Sequence, residues 1–394
     1  MRYRLTMMLA LAAMVVSCSK GGSSNDSASD NLQPTLPPYS YEESDTPIGF
    51  DGYEQSATSR AYVRDEETGF VNGDSFGVLA SLDPADDSYE LQSFMDNIRI
   101  QKFDGVLQYS GTKYWPYDTD IKINFYAYYP HSIVGSSIVS VPTYEPTNES
   151  PYPTLTYTPS TNAAYQYDFM TAVTTDMCKD HTDLYTGDVY TGVPLSFEHQ
   201  LAKVKFSANF HNSGDNTDTT DASTDSSSDR VVITKVVYSG AKAYQSGTFT
   251  ADGFDWGTLN DESTTYTLDS GLKSYETDDD TGKSDADLPL YTETDTTYQE
   301  ISNEAGEGVF LLHPQTLAGN AVTFTVTFKV FRNGIEIITA NQTYNVASSH
   351  TLEKGKAVNY QFTIDINNVS SVLMSNVVYE DWEESDNDFN GTIK

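Results

Sequence analysis

The residues with the clearest chemical potential stand near the start of the chain. Two arginines precede an apolar run of about 12 residues, which is the pattern of a secretory signal peptide and is shorter than the ~20 residues that span a bilayer. Ser17 and Cys18 follow the run, and Val15 at position −3 completes a bacterial lipobox. This pattern predicts cleavage of residues 1–17 and a diacylglyceryl thioether on Cys18, with an ordinary signal peptide as the alternative. Two or more acyl chains anchor a protein stably to a membrane.

A second candidate for chemistry is a serine motif. Residues 73–77 read GDSFG, which matches the G-x-S-x-G pattern of hydrolase nucleophile elbows. That mechanism needs a strand-to-helix turn, an oxyanion hole, and a downstream acid and histidine. Here an apolar run continues as a strand, and no histidine has the Asp three residues earlier that a Gly-Asp-Ser esterase requires. We therefore interpret Ser75 as part of a turn that leads into a strand, and we predict that the chain is not an enzyme.

The remaining polar residues predict neither a metal nor a cofactor. The six histidines are scattered, no H-E-x-x-H occurs, and no Cys/His cluster has the spacing of a zinc site. Acidic residues crowd at 278–280 and at 285–287, but their spacing lacks the closing Glu of an EF-hand loop. A pair of carboxylates with glycosidase geometry cannot be singled out among so many acids.

Composition limits the classes of partner. The formal net charge is −35, with 22 Lys and Arg against 57 Asp and Glu. Such a surface repels phosphate backbones, so no nucleic-acid partner is expected. The chain has two cysteines, and with Cys18 lipidated Cys178 has no partner for an intramolecular disulfide. Stability must therefore come from buried apolar area.

The elements that position these residues are predicted to be strands. Val322, Phe324, Val326, Phe328 and Val330 alternate with polar residues, and residues 358–366 and 204–210 repeat the pattern. A period of 2 with one polar face indicates half-buried antiparallel strands. The 28 Tyr and 18 Phe favour strands as well. No segment has an apolar stripe at helical spacing, so the fold class is all-β.

The order of these segments suggests two tandem β-sandwich domains. Residues 18–47 are polar and proline-rich and predict a flexible tether, and domains at 48–194 and 195–394 follow, with the boundary near Pro194. The proline-rich stretch 142–159 is expected to be loop or edge strand. The Asp/Ser/Thr-rich stretch 212–229 is expected to be a solvated hairpin loop.

Four stretches in order resemble one known family. They are FVNGDSFGVLA at 70–80, YWPYDTDIKINFYAYYP at 114–130, VPLSFEHQLAKVKFSANF at 193–210 and LEKGKAVNYQFTIDI at 352–366. Together with the lipobox and tether, they resemble the fimbrillins, the type V pilin-like lipoproteins of Bacteroidales fimbriae. The resemblance covers nearly the whole mature chain.

The resemblance implies two transthyretin-like Greek-key sandwiches and delivery to the outer surface of the outer membrane. It also implies that an arginine-specific protease removes the first strand, expected at residues 48–53. The cleavage candidate is Arg60, with Arg64 as runner-up and an uncut surface arginine as the alternative. The groove left behind accepts an extended C-terminal segment of a neighbouring subunit by β-strand addition. Here that donor segment is 372–382, and its apolar residues are Val372, Val377, Val378, Tyr379 and Trp382.

The functional hypothesis is therefore a stalk, tip or accessory subunit of a fimbria that adheres to surfaces. Its partners are other fimbrial subunits, the outer membrane through the lipid, and a host or bacterial surface ligand. The alternative hypothesis is a non-polymerising surface lipoprotein that binds a glycan or another ligand.

Overall fold

The computed structural model describes residues 39–54, 70, 72–84, 86, 88–131, 138–211, 229–273, 298–302, 308–332, 335–365 and 374–381. Those residues contain no α-helix; the regular structure is β-strand, apart from two 3₁₀ turns at Ala163–Tyr165 and Thr182–Leu184. The all-β prediction is confirmed.

The first half of the described chain contains thirteen short strands. In chain order they are β1 (Glu43–Pro47), β2 (Phe50–Glu54), β3 (Ser75–Asp83), β4 (Gln92–Phe103), β5 (Val106–Gln108), β6 (Tyr114–Pro116), β7 (Lys122–Tyr129), β8 (Ile138–Ser140), β9 (Thr154–Thr158), β10 (Met170–Met177), β11 (Tyr185–Thr186), β12 (Val189–Tyr190) and β13 (Val193–His199).

The second half contains thirteen more strands, several of them longer. They are β14 (Ala202–His211), β15 (Asp229–Tyr244), β16 (Gly247–Thr250), β17 (Gly253–Trp256), β18 (Leu259–Leu268), β19 (Gln299–Glu300), β20 (Phe310–Leu312), β21 (Gln315–Leu317), β22 (Thr323–Arg332), β23 (Ile335–Asn345), β24 (His350–Leu352), β25 (Lys356–Asp365) and β26 (Met374–Asp381).

A seven-stranded sheet organises the first half, in the order β2-β13-β10-β7-β3-β4-β5. Both of its faces are buried. On β7, Phe125 and Ala127 enter one apolar cluster, while Tyr126 and Tyr128 enter another on the opposite face. Because side chains alternate between faces along a strand, a strand buried on both sides shows a continuous apolar run. The run at 76–80 in β3 has this origin.

A four-stranded sheet, β17-β16-β9-β8, joins the two halves of the described chain. β9 from the first half pairs antiparallel with β16 from the second, with Leu155 opposite Gly247. Beneath it lies a mainly aromatic cluster to which both halves contribute, including Tyr157, Phe169 and Phe254. The two halves therefore share a core as well as a covalent connection.

The second half builds a sandwich from two sheets. One sheet has the order β18-β15-β22-β23, and the other has the order β19-β14-β25-β26, with β20 also paired to β14. Phe206 of β14, Phe324 of β22 and Tyr360 of β25 meet in the core between them. The alternating pattern at 322–330 is confirmed as β22, and the five apolar residues that form the pattern are buried.

Two predicted boundaries differ from the observed elements. Strand β1 lies inside the stretch assigned to the tether, because its backbone pairs with β6 and the preceding Tyr39 and Tyr41 pack against the first core. Strand β13 spans Pro194, where the two domains were separated, and pairs with β10 and β2. Residues 195–199 thus lie in the first sheet.

Two predicted connections also differ. Strands β14 and β15, which flank the stretch 212–229, belong to different sheets and do not pair with each other, so they do not form the predicted hairpin. Within the proline-rich stretch, β9 pairs on both sides, with β8 and with β16. The prediction of loop or edge was wrong here because Pro153 and Pro159 flank the strand and do not interrupt it.

Candidate functional site

Most of the sequence-predicted site residues lie outside the described residues. This applies to Cys18, Arg60, Arg64, Val372 and Trp382, and also to the acidic stretches at 278–287. The structure does describe the strand before Arg60 and three of the donor residues, Val377, Val378 and Tyr379.

The segment before Arg60 contributes two strands to the N-terminal half. We call residues 43–54 the N-terminal segment. β1 pairs antiparallel with β6, and β2 pairs parallel with β13 at one end of the seven-stranded sheet. A first strand was expected at 48–53, and the structure places it at 50–54 with the additional strand β1 before it.

Two side chains of the N-terminal segment enter the first core. Ile48 is 2% exposed and Phe50 is 8% exposed. The Phe50 ring lies edge-on to the rings of Phe125 and Tyr109, with both centroid distances 5.8 Å. Burying each such side chain contributes about 1.5–3 kcal/mol, so the segment covers a substantial part of the core.

Between the two strands, four hydrogen bonds hold the backbone of Ile48 and Gly49. The Ile48 N–H donates to the Lys113 carbonyl at 2.8 Å, and the Gly49 carbonyl accepts from the Val193 N–H at 2.8 Å. The other two bonds come from side chains. The Tyr109 hydroxyl donates to the Ile48 carbonyl at 2.9 Å, and the Gly49 N–H donates to the Tyr190 hydroxyl at 3.1 Å. We call Tyr109 and Tyr190 the tyrosine clamp.

The clamp is positioned by residues outside the N-terminal segment. The Tyr109 hydroxyl accepts from the Lys113 N–H at 3.1 Å, and the Tyr190 hydroxyl accepts from Trp115 Nε1 at 3.2 Å. Burial raises the pKa of Tyr109, so its hydroxyl stays protonated and can donate at neutral pH. Sequence analysis missed both tyrosines because their partners are 61 and 141 residues away.

Gly192 permits the close approach of the N-terminal segment. Its φ is +103°, a conformation that L side chains rarely adopt, and a Cβ at this position would lie 2.7 Å from the Gly49 carbonyl carbon. Gly49 faces the Tyr190 ring, which a Cβ would meet at 3.5 Å. A glycine directly before an apolar strand is the one sequence signal that pointed to this contact.

The C-terminal strand β26 occupies a different edge. It pairs antiparallel with β25 of the same chain, with Val378 opposite Asn359. Val377 is half-buried against the second core, and Tyr379 is 55% exposed. Glu380 binds Lys205 at 3.3 Å and accepts from the Asn359 side chain at 3.0 Å.

The serine and histidine candidates have structural surroundings. Ser75 begins β3 and is followed by strand, as predicted. His199, at the end of β13, is buried and paired with Asp168. His313 is fully buried beside Trp256, and neither ring nitrogen has a hydrogen-bond partner within the described residues. Burial lowers the pKa of His313 to about 3, so it is neutral at physiological pH.

The described parts of the chain contain no group of three or more His, Cys, Asp or Glu side chains placed to hold a metal ion. Cys178 is a buried free thiol. In the same described parts, no helix has the length and apolarity to cross a membrane. These residues give no positive evidence of catalysis.

Three solved structures of Bacteroides proteins align with most of this chain. A fimbrial protein from Bacteroides vulgatus aligns with a TM-score of 0.54 at 16% identity, covering 86% of this chain and 99% of that one. A candidate cell adhesion protein from Bacteroides uniformis has a TM-score of 0.42 at 17% identity, with 86% and 99% covered. A candidate cell adhesion protein from Bacteroides ovatus has a TM-score of 0.40 at 15% identity, with 88% and 100% covered.

By sequence, no curated protein matches the chain. The family model described as fimbrillin-like, however, matches residues 59–382. Because that match spans most of the chain, including strands β13 and β26, the protein belongs to the fimbrillin-like family.

Proposed function

We propose that this chain is a structural and adhesive subunit or accessory of a cell-surface fimbria, and not an enzyme. Its assembly follows proteolytic removal of the N-terminal segment and replacement of that segment by a strand from a neighbouring subunit. Family membership supports the fimbrial role. The observation that carries the assembly mechanism is an N-terminal segment at a sheet edge whose apolar side chains enter the core.

Removal of the segment has a clear energetic consequence. Cleavage after Arg60, or after Arg64, separates residues 43–54 from the rest of the chain. Loss of Ile48 and Phe50 uncovers Phe125 and neighbouring core residues, at a cost of about 1.5–3 kcal/mol for each side chain removed. It also opens a sheet edge, which is a template for another strand. An incoming extended segment that restores both contributions is bound by β-strand addition.

The donor in this proposal is the segment at 372–382 of a neighbouring subunit. Its described part, β26, is half-exposed and lies at an edge, so it leaves its own sheet at a smaller cost than a central strand would. Donor and acceptor edges lie in different sheets, so the contact between subunits is heterologous and generates an open filament.

The lipid on Cys18 anchors the exported precursor to the outer membrane in this proposal. Replacing Cys18 with Ala is expected to release the protein from membranes and to abolish labelling with a palmitate analogue. Membrane partition and labelling that persist in the variant would show an anchor elsewhere.

Exposed aromatic side chains favour a second candidate function, which is ligand capture without polymerisation. Tyr117 is 67% exposed and Tyr165 is 54% exposed, and aromatic rings of this kind stack on sugars and other ligands. A ligand-binding surface lipoprotein needs neither cleavage nor strand exchange, so the assembly test below separates the two functions.

The assembly test uses the purified precursor and an arginine-specific protease. We expect a monomer before cleavage and oligomers lacking residues 1–60 after it. The matched control is Arg60→Gln, which is expected to stay monomeric or to be cut only at Arg64. A chain ending before Val372 is expected to be cleaved but to form no oligomers. Equal oligomer yield from that truncated chain contradicts strand donation, and a folded, cleaved monomer favours ligand capture or a terminal subunit.

A further inference from the structure

The geometry around Ile48 and Gly49 points to a binding site that is selective for a three-residue motif. We propose that the groove beneath the N-terminal segment selects an extended segment with an aliphatic residue, a glycine or alanine, and an aromatic residue in succession. The preferred occupant is a segment of a different subunit, because the C-terminal region of this chain lacks that triplet. This inference rests on the proposed strand exchange and names the partner that the groove prefers.

The clamp first fixes the position of the occupant's backbone. Four groups face the backbone of two consecutive residues: the Lys113 carbonyl, the Tyr109 hydroxyl, the Tyr190 hydroxyl and the Val193 N–H. These bonds hold the main chain of an extended segment, and the side-chain positions described next set its register. The clamp tyrosines are held by Lys113 and Trp115, which remain after the segment leaves, so the binding site is preorganised.

The groove then selects the side chain at each of three positions. The first position is buried, as Ile48 shows with 2% exposure, and it accepts an aliphatic residue. The third lies edge-on to Phe125 and Tyr109 and accepts an aromatic ring, as Phe50 shows. The middle position faces the Tyr190 ring, where a Cβ would make ordinary van der Waals contact with Tyr190 Cε1 at 3.5 Å. Glycine and alanine therefore fit, and a branched side chain reaches further toward the ring.

The occupant also has a fixed direction. β2 runs parallel to β13, with Phe50 opposite Val193 and Glu54 opposite Phe197. A donor that repeats these contacts must enter parallel to β13, since an antiparallel strand would reverse the order of the three positions. Direction, register and side-chain size together define the sequence that the groove prefers.

The C-terminal region of this chain does not carry such a triplet. Between 366 and 394 the single glycine is Gly391, which stands between Asn390 and Thr392. The same region contains no alanine. Val377-Val378-Tyr379 matches the first and third positions but brings a branched side chain to the position of Gly49, and Met374-Ser375-Asn376 brings a polar amide to the position of Phe50. Burying an amide without a partner is costly, and a branched side chain reaches toward the Tyr190 ring, so this segment binds weakly in the groove of another copy of this chain. A subunit with the full triplet binds more tightly.

Peptide exchange on the full chain tests this selectivity. A site-specific protease sequence is inserted between Ser56 and Arg60, and the cut chain is incubated with excess fluorescent peptide in urea below the unfolding midpoint. A peptide of residues 43–54 is expected to replace the resident segment. The Gly49→Val peptide and a peptide of residues 369–382 are each expected to bind at least tenfold more weakly. Equal binding of either peptide, or no exchange with the 43–54 peptide, overturns the proposal.

Changes in the protein test the clamp without altering the shape of the groove. Tyr109→Phe and Tyr190→Phe each remove one hydrogen bond to the segment and one within the groove, and each is expected to weaken binding of the 43–54 peptide about fivefold. The control Tyr298→Phe removes a hydroxyl that faces Thr363 in the second half of the chain, and it is expected to leave binding unchanged. Unchanged binding in both clamp variants contradicts the role of the clamp.

A gain-of-function variant links selectivity to assembly. Replacing Met374-Ser375-Asn376 by Ile-Gly-Phe in the full chain is expected to raise the oligomer yield after cleavage at least tenfold at low protein concentration. Unchanged yield, together with tight binding of the 43–54 peptide, shows that the groove is selective and that the proposed assembly is wrong. If peptides bind without selectivity while oligomers still form, the groove is not selective and the proposed assembly stands.

Discussion

The two terminal segments of the described chain are both edge strands, yet they are held differently. The N-terminal segment places Ile48 and Phe50 in the core and is fixed by the tyrosine clamp. The C-terminal strand β26 has a half-buried Val377, an exposed Tyr379 and an ion pair to Lys205. Both ladders supply backbone hydrogen bonds.

This difference indicates which of the two segments stabilises the fold and which can leave it. Buried apolar area contributes most of the free energy that holds a strand in place, whereas ladder bonds at an edge exchange with water at little net cost. The N-terminal segment is thus part of the core until a protease removes it. β26 is attached mainly through its backbone and is the better candidate for donation to another molecule.

The largest expected contrast is between Phe50→Ala and Val377→Ala. Phe50 is buried against two rings, so its truncation is expected to lower the free energy of unfolding by about 3 kcal/mol. Val377 is half-buried, and its truncation is expected to cost about 1 kcal/mol or less. Urea denaturation of the full chain measures both. Phe103→Ala, at a 66% exposed ring, is the control and is expected to stay within about 0.5 kcal/mol. Equal losses at Phe50 and Val377 would remove the basis of the comparison.

Gly192→Ala is expected to loosen the N-terminal segment and leave β26 in place. The new Cβ meets the Gly49 carbonyl carbon and also strains a positive φ, at a combined cost of about 2–3 kcal/mol. Hydrogen exchange is expected to rise across residues 43–54 and to stay unchanged across 374–381. The matched control is Gly105→Ala, where φ is +79° but no atom lies within 4 Å. This control measures the backbone strain without the crowding, and it is expected to lower the free energy of unfolding by about 1 kcal/mol. Equal effects in the two variants would show that crowding against Gly49 is unimportant.

Alkaline pH is expected to weaken the clamp. Because burial raises the folded-state pKa of Tyr109 above that of the unfolded chain, the folded state retains the proton longer. The stabilisation by Tyr109 is therefore fully present below pH ~10 and is lost as pH rises through the raised pKa. Urea denaturation at several pH values compares the wild type with Tyr109→Phe, which is expected to be about 1 kcal/mol less stable at pH 7. That difference is expected to shrink above pH ~10, and a difference independent of pH would contradict the clamp geometry.

The smallest expected effect concerns the ion pair of β26. Glu380→Gln removes the charge that faces Lys205, although Lys205 keeps Glu300 at 3.2 Å. Partly exposed ion pairs contribute little, so the loss is expected to be below about 1 kcal/mol and to vanish in high salt. Denaturation at low and high ionic strength checks this. A loss above 2 kcal/mol that persists in salt would show that β26 is held as firmly as the N-terminal segment.

Sequence reasoning succeeded where structure depends on neighbouring residues. The alternation at 322–330 predicted β22 to within a residue or two, because one strand buries every second side chain against one core. The run after Ser75 predicts a strand through its continuous apolar residues, which are buried on both faces of the sheet, and this removed the nucleophile elbow from consideration. Four quoted stretches in order were enough to indicate the family that the fimbrillin-like model then matched.

The connections show where that reasoning stopped. The stretch at 212–229 was read as a hairpin loop because strands flank it, but β14 and β15 belong to different sheets. β1 was assigned to the tether because its sequence is polar, and its pairing with β6 overrides that composition. Which strand a given strand pairs with depends on distant residues, and a period-2 pattern carries no information about them.

By itself the sequence determined that this protein is built from strands, that it carries an export and lipidation pattern at Cys18, and that it belongs with the fimbrillins. Those properties are local, since they depend on the periodicity of neighbouring residues and on short motifs. Only the tertiary structure decided that Tyr109 and Tyr190 meet at Gly49, that Gly192 admits the N-terminal segment, and that β26 lies at a loosely held edge. Those properties arise from contacts between residues far apart in the chain, where a single hydroxyl or a missing Cβ decides which backbone can fit.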